Sequence, residues 1–150
     1  MILSFDLDDT LISKSKFRLE KRNLLQRFLG VEFLRKGTID LFKELKKQKH
    51  QIYIYTTSFR SESRIKWMFY SYGISVDFVI NQQKHQKRIR KTNFNCSKFP
   101  PMFHIDIHVD DSIGVEMEGR KYGFKTIIIS DKDENWTQTV FNTIRLIKKM

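Results

Sequence analysis

Phe5-Asp6-Leu7-Asp8-Asp9-Thr10-Leu11 decides the reading of this chain, because it sets three carboxylates directly behind the short apolar run Ile2-Leu3-Ser4-Phe5. A run of that length and composition reads as a buried strand, and Asp6 ends it. A sharp turn after such a strand aims Asp6 and Asp8 into the crevice at the carboxyl edge of a sheet, where open α/β folds bind ligands. Two carboxylates that close repel each other unless a cation or a proton lies between them. Magnesium suits the arrangement, since it prefers oxygen ligands and works with one or two carboxylates plus a substrate phosphate.

Four further apolar runs of strand length follow, at 52–55, 76–80, 103–109 and 124–129, with helical patterns between them. That alternation predicts an α/β fold: a single doubly wound parallel sheet of about five strands with crossover helices on both faces. Ile39, Leu41, Phe42 and Leu45 share one side of a helix that ends in the basic stretch 46–49, a favourable charge at a helix C-terminus. Ile65, Met68, Phe69 and Tyr72 follow the i, i+3, i+4, i+7 stripe, closed by Gly73. Ser112 reads as the N-cap of a helix running to Gly123, and Trp136, Val140, Ile144 and Ile147 stripe a terminal helix. Two segments fit no repeating unit. Residues 13–35 carry Leu24, Leu25, Phe28 and Leu29 at helical spacing and are expected to form a small flap after the first strand, over the site. Residues 81–101 are polar and basic and end in Pro100-Pro101.

With 150 residues, 40% of them hydrophobic, the chain is expected to be one domain over 1–150. The single cysteine, Cys96, excludes an internal disulfide framework and fits a reducing compartment, so a cytoplasmic location is expected. The start is not expected to be a removable signal, because cleavage there would take Asp6 with it. The apolar runs are too short to span a bilayer, and no membrane partner is expected. The net charge of +11, densest from Lys84 to Lys91, concentrates anions, phosphates and nucleic acids among them, but supports encounter rather than chemistry.

Asp6-Leu7-Asp8-Asp9-Thr10 resembles the D-x-D-x-T signature of the haloacid dehalogenase superfamily of phosphatases. Three later features agree with it. The second apolar run closes in Thr56-Thr57-Ser58, similar to the family's Ser or Thr at a strand end. The fourth closes in Asp110-Asp111-Ser112, similar to its acidic magnesium motif, and Lys98 lies where the family keeps a phosphate-binding lysine. Taken alone, each of these stretches reads as capping or a solvated turn. Their order at successive strand ends is what separates the set from chance.

The chemistry of each residue can be argued beside the resemblance. A carboxylate at Asp6 can attack phosphorus and form an acyl phosphate. Asp8 can donate a proton to the leaving oxygen and later take one from water. The resemblance implies the same roles, and it implies magnesium held by the Asp6 carboxylate, the Asp8 backbone carbonyl and Asp111, with Asp110 behind it. Thr56, with the backbone N–H groups of Thr57 and Ser58 at an expected helix start, would hold phosphate oxygens. Thr10 is expected to fix the turn. Lys98 is the phosphate-binding cation of choice, with Lys84, Lys87 and Lys91 as competitors. His104, Asp106 and His108 alternate along the fourth run and point to one face with Asp110, which fits a face covered by a polar segment or a neighbouring subunit, or a buried hydrogen-bonded network, better than a transition-metal site. The chain offers no large insertion, so the site should be open. In this superfamily that is similar to members acting on bulky substrates, such as proteins or nucleic-acid ends, or relying on oligomerisation for closure.

A phosphorylated small molecule or nucleotide is the expected substrate, and a nucleic-acid end the alternative, with Arg60 and Arg64 as candidate contacts. A binding or regulatory protein that kept the fold without turnover is the reading of a different class. Oligomeric state is not legible.

Overall fold

Ile2–Phe5 form β1, the central strand of a parallel five-stranded sheet in a computed structural model that describes residues 1–149. Downstream come α1 (Leu24–Phe28), α2 (Thr38–Lys47), β2 (Gln51–Tyr55), α3 (Glu62–Ser71), β3 (Phe78–Ile80) and α4 (Gln82–Ile89). A 3₁₀ turn (Pro100–Phe103), β4 (Ile107–Asp110), α5 (Ile113–Tyr122), β5 (Thr126–Ile128) and α6 (Trp136–Lys149) complete the order. The strands lie β3-β2-β1-β4-β5. Winding therefore runs outward from β1 through β2 to β3, then returns to place β4 on the other side of β1. The reversal opens a crevice between the carboxyl ends of β1 and β4, the place where such sheets bind ligands. Register aligns Phe5 with both Ile54 and Val109, so the residues after Phe5 and Val109 emerge level with each other.

Alternation along the strands sorts the two faces. Leu3, Phe5, Ile52, Ile54, Ile107 and Val109 point to one face, where they pack with Phe42, Phe69, Trp136 and Val140 of α2, α3 and α6. Tyr55, Ile80, Phe103 and Ile105 form a smaller cluster on the other face, joined by Ile2, Tyr53 and Phe78. Helices thus cover both faces, as the run pattern predicts. Within α5, Gly119 lets the helix approach its own return strand, since an added Cβ would stand 2.9 Å from the Phe124 carbonyl oxygen and 3.0 Å from Thr126 Cγ2. Backbone cannot yield there, so Gly119→Ala is expected to cost about 1–3 kcal/mol of stability. A urea midpoint unchanged from wild type would contradict that close approach.

Three expectations change. The fourth strand begins at Ile107, not Phe103, because the prolines start a 3₁₀ turn and His104 closes it at φ 57°. His104 and Asp106 consequently lie before the strand and are exposed. Residues 81–101 contain α4, capped by the Asn81 side chain, which accepts from Lys84 N. And α3 begins at Glu62 behind its cap Ser61, so Thr57-Ser58 belongs to a loop rather than to a helix start.

Residues 13–35 fold back on themselves and on the turn after β1 through isolated bridges that pair Ile12 with Leu34 and Leu19 with Arg35. The four apolar residues of α1 and its end, Leu24, Leu25, Phe28 and Leu29, are exposed; Gln26 is the buried one, bonded to the Ser71 carbonyl of α3 at 2.8 Å.

Candidate active site

Asp6 continues β1 by one ladder bond, donating its backbone N–H to the Val109 carbonyl at 2.8 Å, and its side chain enters the crevice. The chain then turns sharply. Leu11 and Ile12 both donate to the Leu7 carbonyl, Asp9 donates to the Ile12 carbonyl, and Asp9 takes φ 63°, a left-handed conformation that Asp tolerates. Behind the turn stands Arg35, 1% exposed, whose guanidinium donates to the carbonyls of Thr10, Ser130 and Asp133. The rings of Phe17 and Trp136 cover it at 4.5 and 4.9 Å. Thr10 joins the two acidic strand ends, donating its hydroxyl to Asp111 Oδ1 at 2.7 Å.

Lys98, 3% exposed, reaches between those strand ends. Its Nζ donates to Asp6 Oδ1 and, at 2.6 Å, to Asp110 Oδ2. The lysine sits on a loop, yet the loop is tied on both sides. Glu118 of α5 accepts from Ser97 N and Ser97 Oγ at 2.8 Å each, and the Tyr55 hydroxyl accepts from Phe99 N at 2.9 Å while donating to His85 Nδ1 at 2.6 Å. Of the competing lysines, Lys84 pairs with Glu62, and Lys87 and Lys91 are exposed.

His108 extends the network inward. Asp110 Oδ2 accepts from His108 Nε2 at 2.9 Å, which leaves Nδ1 as the acceptor for the Ser4 hydroxyl at 2.7 Å. The line Ser4, His108, Asp110, Lys98, Asp6 is thus one buried chain of hydrogen bonds. Burial, with the Lys98 charge behind it, drives the His108 imidazole down to about 4, so the ring is neutral at ordinary pH. For Asp110, burial opposes ionisation, but the hydrogen bond from His108 and the charge of Lys98 outweigh it and hold its carboxyl well below the usual range. Asp6 goes the other way: burial pushes it up to about 6 against the pull of Lys98.

Asp8 faces a different partner. Its Oδ2 accepts from Arg60 Nη1 at 2.9 Å and lies 3.5 Å from the Thr56 hydroxyl. Arg60 also donates Nε and Nη2 to Glu32 at 3.1 and 2.9 Å, tying the 13–35 segment to the β2–α3 loop. Thr56 is buried at the end of β2 and accepts the Ser58 N–H at 3.0 Å, so that N–H is spent within the loop instead of facing an anion. Thr57 beside it is exposed, and Arg64 lies exposed on the first turn of α3, apart from the cluster.

No protein-family profile matches the sequence, and neither does any curated protein. Solved structures do. A chain of the Pnkp1/Rnl/Hen1 complex superposes with a TM-score of 0.55 at 14% identity over 85% of this chain and 45% of that one. A chain of the Pnkp1/Rnl/Hen1 RNA repair complex gives 0.53 at 15% identity, over 85% and 42%. A predicted HAD-like family hydrolase from Porphyromonas gingivalis gives 0.52 at 13% identity over 96% of this chain and 97% of its own. The fold is haloacid dehalogenase-like. The chain spans less than half the length of the two repair-complex chains it matches.

The acidic cluster of this HAD-like fold fits a divalent cation. Asp6, Asp110 and Asp111 each offer a carboxylate oxygen within 4.8 Å of the others. Asp6 Oδ1 and Asp110 Oδ2 face Lys98, and Asp110 Oδ1 accepts from Ser112 N. Among the described residues, Asp111 Oδ2 has no donor and Asp6 Oδ2 has only the distant Thr10 hydroxyl, at 3.4 Å. The Asp8 carboxylate is taken by Arg60, but the Asp8 carbonyl has no hydrogen-bond donor among the described residues. Three carboxylates against one ammonium and hard oxygen donors are what a magnesium-type ion prefers.

Sequence reasoning missed most supports of this site: Tyr55 and Glu118 holding the lysine loop, Ser4 behind His108, Arg35 behind the turn, and Glu32 on Arg60; His108 it did place on one face with Asp110. Only His108 carried a legible signal, as a histidine flanked by Ile107 and Val109 in an apolar run.

Proposed function

We propose that this chain is a magnesium-dependent phosphomonoester hydrolase working through an aspartyl phosphate, a single phosphatase unit over 1–150 with 13–35 as its small flap. The carrying observation is the convergence of Asp6, Lys98, Asp110 and Asp111 at the switch point of the sheet. The HAD-like fold of the neighbours supports it.

In the first half-reaction an Asp6 carboxylate oxygen attacks phosphorus. The bond from phosphorus to the alcohol oxygen breaks, and Asp8 gives that oxygen a proton through Oδ1, since Oδ2 is engaged by Arg60. Water then attacks the acyl phosphate. Asp8 takes the water proton, the bond between phosphorus and Asp6 breaks, and inorganic phosphate leaves with the Asp6 carboxylate restored. Lys98 and Thr56 would hold and neutralise the phosphoryl oxygens, with the Thr57 N–H beside them. Magnesium would be held by Asp6, the Asp8 carbonyl and Asp111, with Asp110 as support, and would supply further positive charge beside the phosphoryl group. A cytoplasmic setting is part of the same proposal, on the ground that the single cysteine, Cys96, allows no internal disulfide framework.

Hydrolysis of an aryl phosphate with magnesium and with chelator tests this reading, with Asp6→Asn as control. Turnover is expected with the metal and is expected to be lost without it. Magnesium at a hundred times its Kd is also expected to stabilise the fold by about 2.7 kcal/mol, read as a rise in Tm that Asp111→Ala removes. No metal-dependent rate above Asp6→Asn would favour a binding or regulatory protein instead. A narrower reading, a nucleotide or nucleic-acid end as substrate, is favoured by the +11 charge, by the basic stretch 84–91 and by the likeness to a chain of an RNA repair complex. It predicts a KM that rises steeply with salt.

A further inference from the structure

A cleft of about 240 Å³ opens on the carboxylate of Asp8, bounded by Ile12, by Ser13 and Phe33 of the flap and by the Glu32–Arg60 pair. If Asp8 hands its proton to the departing oxygen, the departing alcohol must lie on this side of the phosphate. The cleft's chemistry then describes that alcohol. Glu32 spends one oxygen, Oε1, on both Arg60 donors. Its Oε2 accepts from no donor among the described residues, although the side chain is only 27% exposed. That oxygen is not sealed from solvent, so it is open to accept a ligand hydroxyl in place of water. Ser13 offers the complement. Its Oγ accepts weakly from Ser15 N and Lys16 N at 3.4 and 3.3 Å, which leaves the hydroxyl proton to give.

Apolar surface from Ile12 and Phe33 lies between these polar groups. Arg22 packs on the Phe33 ring at 3.6 Å and holds it in place. Asp8, Asp9 and Glu32 face Arg60 and Lys14 in the cleft, and Asp9 is also paired with Lys16 at 2.8 Å, so the charges cancel once Lys16 is counted and a neutral guest is favoured over an anionic or cationic one. The volume corresponds to roughly eight waters, and lies below the range of about 300–1,000 Å³ typical of drug-sized ligands. Acceptor, donor, apolar wall and small volume together describe a hydroxylated alcohol of a few carbons.

We infer that this cleft receives the leaving group, that the leaving group is a short polyol or a sugar, and that Glu32 Oε2 accepts one of its hydroxyls. The inference rests on the phosphatase reading above, and Glu32 is on this account a specificity-determining residue held in position by Arg60.

The test compares kcat/KM for glycerol 3-phosphate and ribose 5-phosphate with propyl phosphate, which lacks the hydroxyls, and with ethanolamine phosphate, which carries a cation instead. Both hydroxylated substrates are expected to exceed propyl phosphate by about tenfold or more, the worth of one hydrogen bond to a charged acceptor. In Glu32→Ala that ratio is expected to fall toward one. Equal use of propyl and glycerol phosphates by the wild type, a ratio that survives Glu32→Ala, or a preference for ethanolamine phosphate would each overturn the inference. An aryl phosphate run alongside separates the two claims, because its hydrolysis reads the phosphatase chemistry alone. Should no phosphate ester be turned over, ligand-observed NMR decides the cleft: binding of ribose 5-phosphate that Glu32→Ala abolishes keeps it, and no binding to the wild type overturns it.

Discussion

Lys98→Met is expected to destabilise the fold by about 3–5 kcal/mol at neutral pH, the usual cost of removing one partner from a buried charge pair. Methionine nearly matches lysine in length and fills the channel, so lost packing contributes little. What remains is the electrostatic problem. Asp6 and Asp110, 7% and 2% exposed, would face each other without the ammonium that now touches both. His108 is a poor replacement cation, because burial, the largest effect on its ring, still opposes protonation once the Lys98 charge is gone. The measurement is a denaturant midpoint in chelator, so that no divalent ion substitutes for the lysine. At about 2–4 °C per kcal/mol for a chain of this size, the fall in Tm should be unmistakable. Asp110→Asn in the Lys98→Met background is expected to recover part of the loss, because it removes one of the two stranded charges, and the double-mutant cycle isolates that coupling. A loss below about 1 kcal/mol, or a double variant no better than the single one, would mean that Lys98 does not bridge these carboxylates in solution. A second readout follows from the proposed chemistry. Any protein that stays folded should lose about 10²–10³ in kcat on a phosphate ester, as removal of a preorganised donor generally costs.

The lysine also marks the boundary of what the sequence could reveal. Strand ends were legible because a buried parallel strand must be apolar along its length and stop where polarity begins, as Phe5-Asp6 and Val109-Asp110 do. Their adjacency in space follows from winding order. Lys98 could be named but not seated, since its anchors, Tyr55 and Glu118, come from β2 and α5 and share no local pattern with it. Residues 82–89 escaped notice as a helix because His85 is the buried residue among them, so no apolar stripe exists to read; the Asn81 cap was the available signal. The expected strand from Phe103 failed for the opposite reason. Apolar residues alternate with polar ones there, but Phe103 belongs to a 3₁₀ turn, and a left-handed His104 resets the chain before Ile107. Thr57-Ser58 looked like a helix start, yet the hydroxyl of Thr56 takes the Ser58 N–H and Ser61 caps the helix instead. The lysine anchors and the Thr56 turn were hydrogen bonds between residues whose identities were visible and whose contact was not, whereas the fourth strand was displaced by a left-handed residue.

Asp6→Asn is expected to abolish turnover, lowering kcat by at least about 10⁴, or roughly 5.5 kcal/mol of barrier. Asn is isosteric and can still accept the Lys98 hydrogen bond through its carbonyl. It carries no charge, however, and its amide is a far poorer nucleophile at phosphorus than a carboxylate, so the proposed covalent step would have no substitute. Fold stability should behave differently. Burial raises the Asp6 carboxyl from 3.8 to about 6, so ionising it in the native state works against folding. That penalty is complete above pH 6 and vanishes below the unfolded value near 4. The neutral variant escapes it, and Lys98 keeps Asp110 as its counter-ion. The Tm of Asp6→Asn in chelator should therefore equal or exceed that of the wild type at pH 7 while activity disappears. The combination is diagnostic. A variant that is inactive because it is unfolded would report only on the core, and a variant retaining more than a tenth of wild-type turnover would remove Asp6 from the covalent step and with it the aspartyl phosphate.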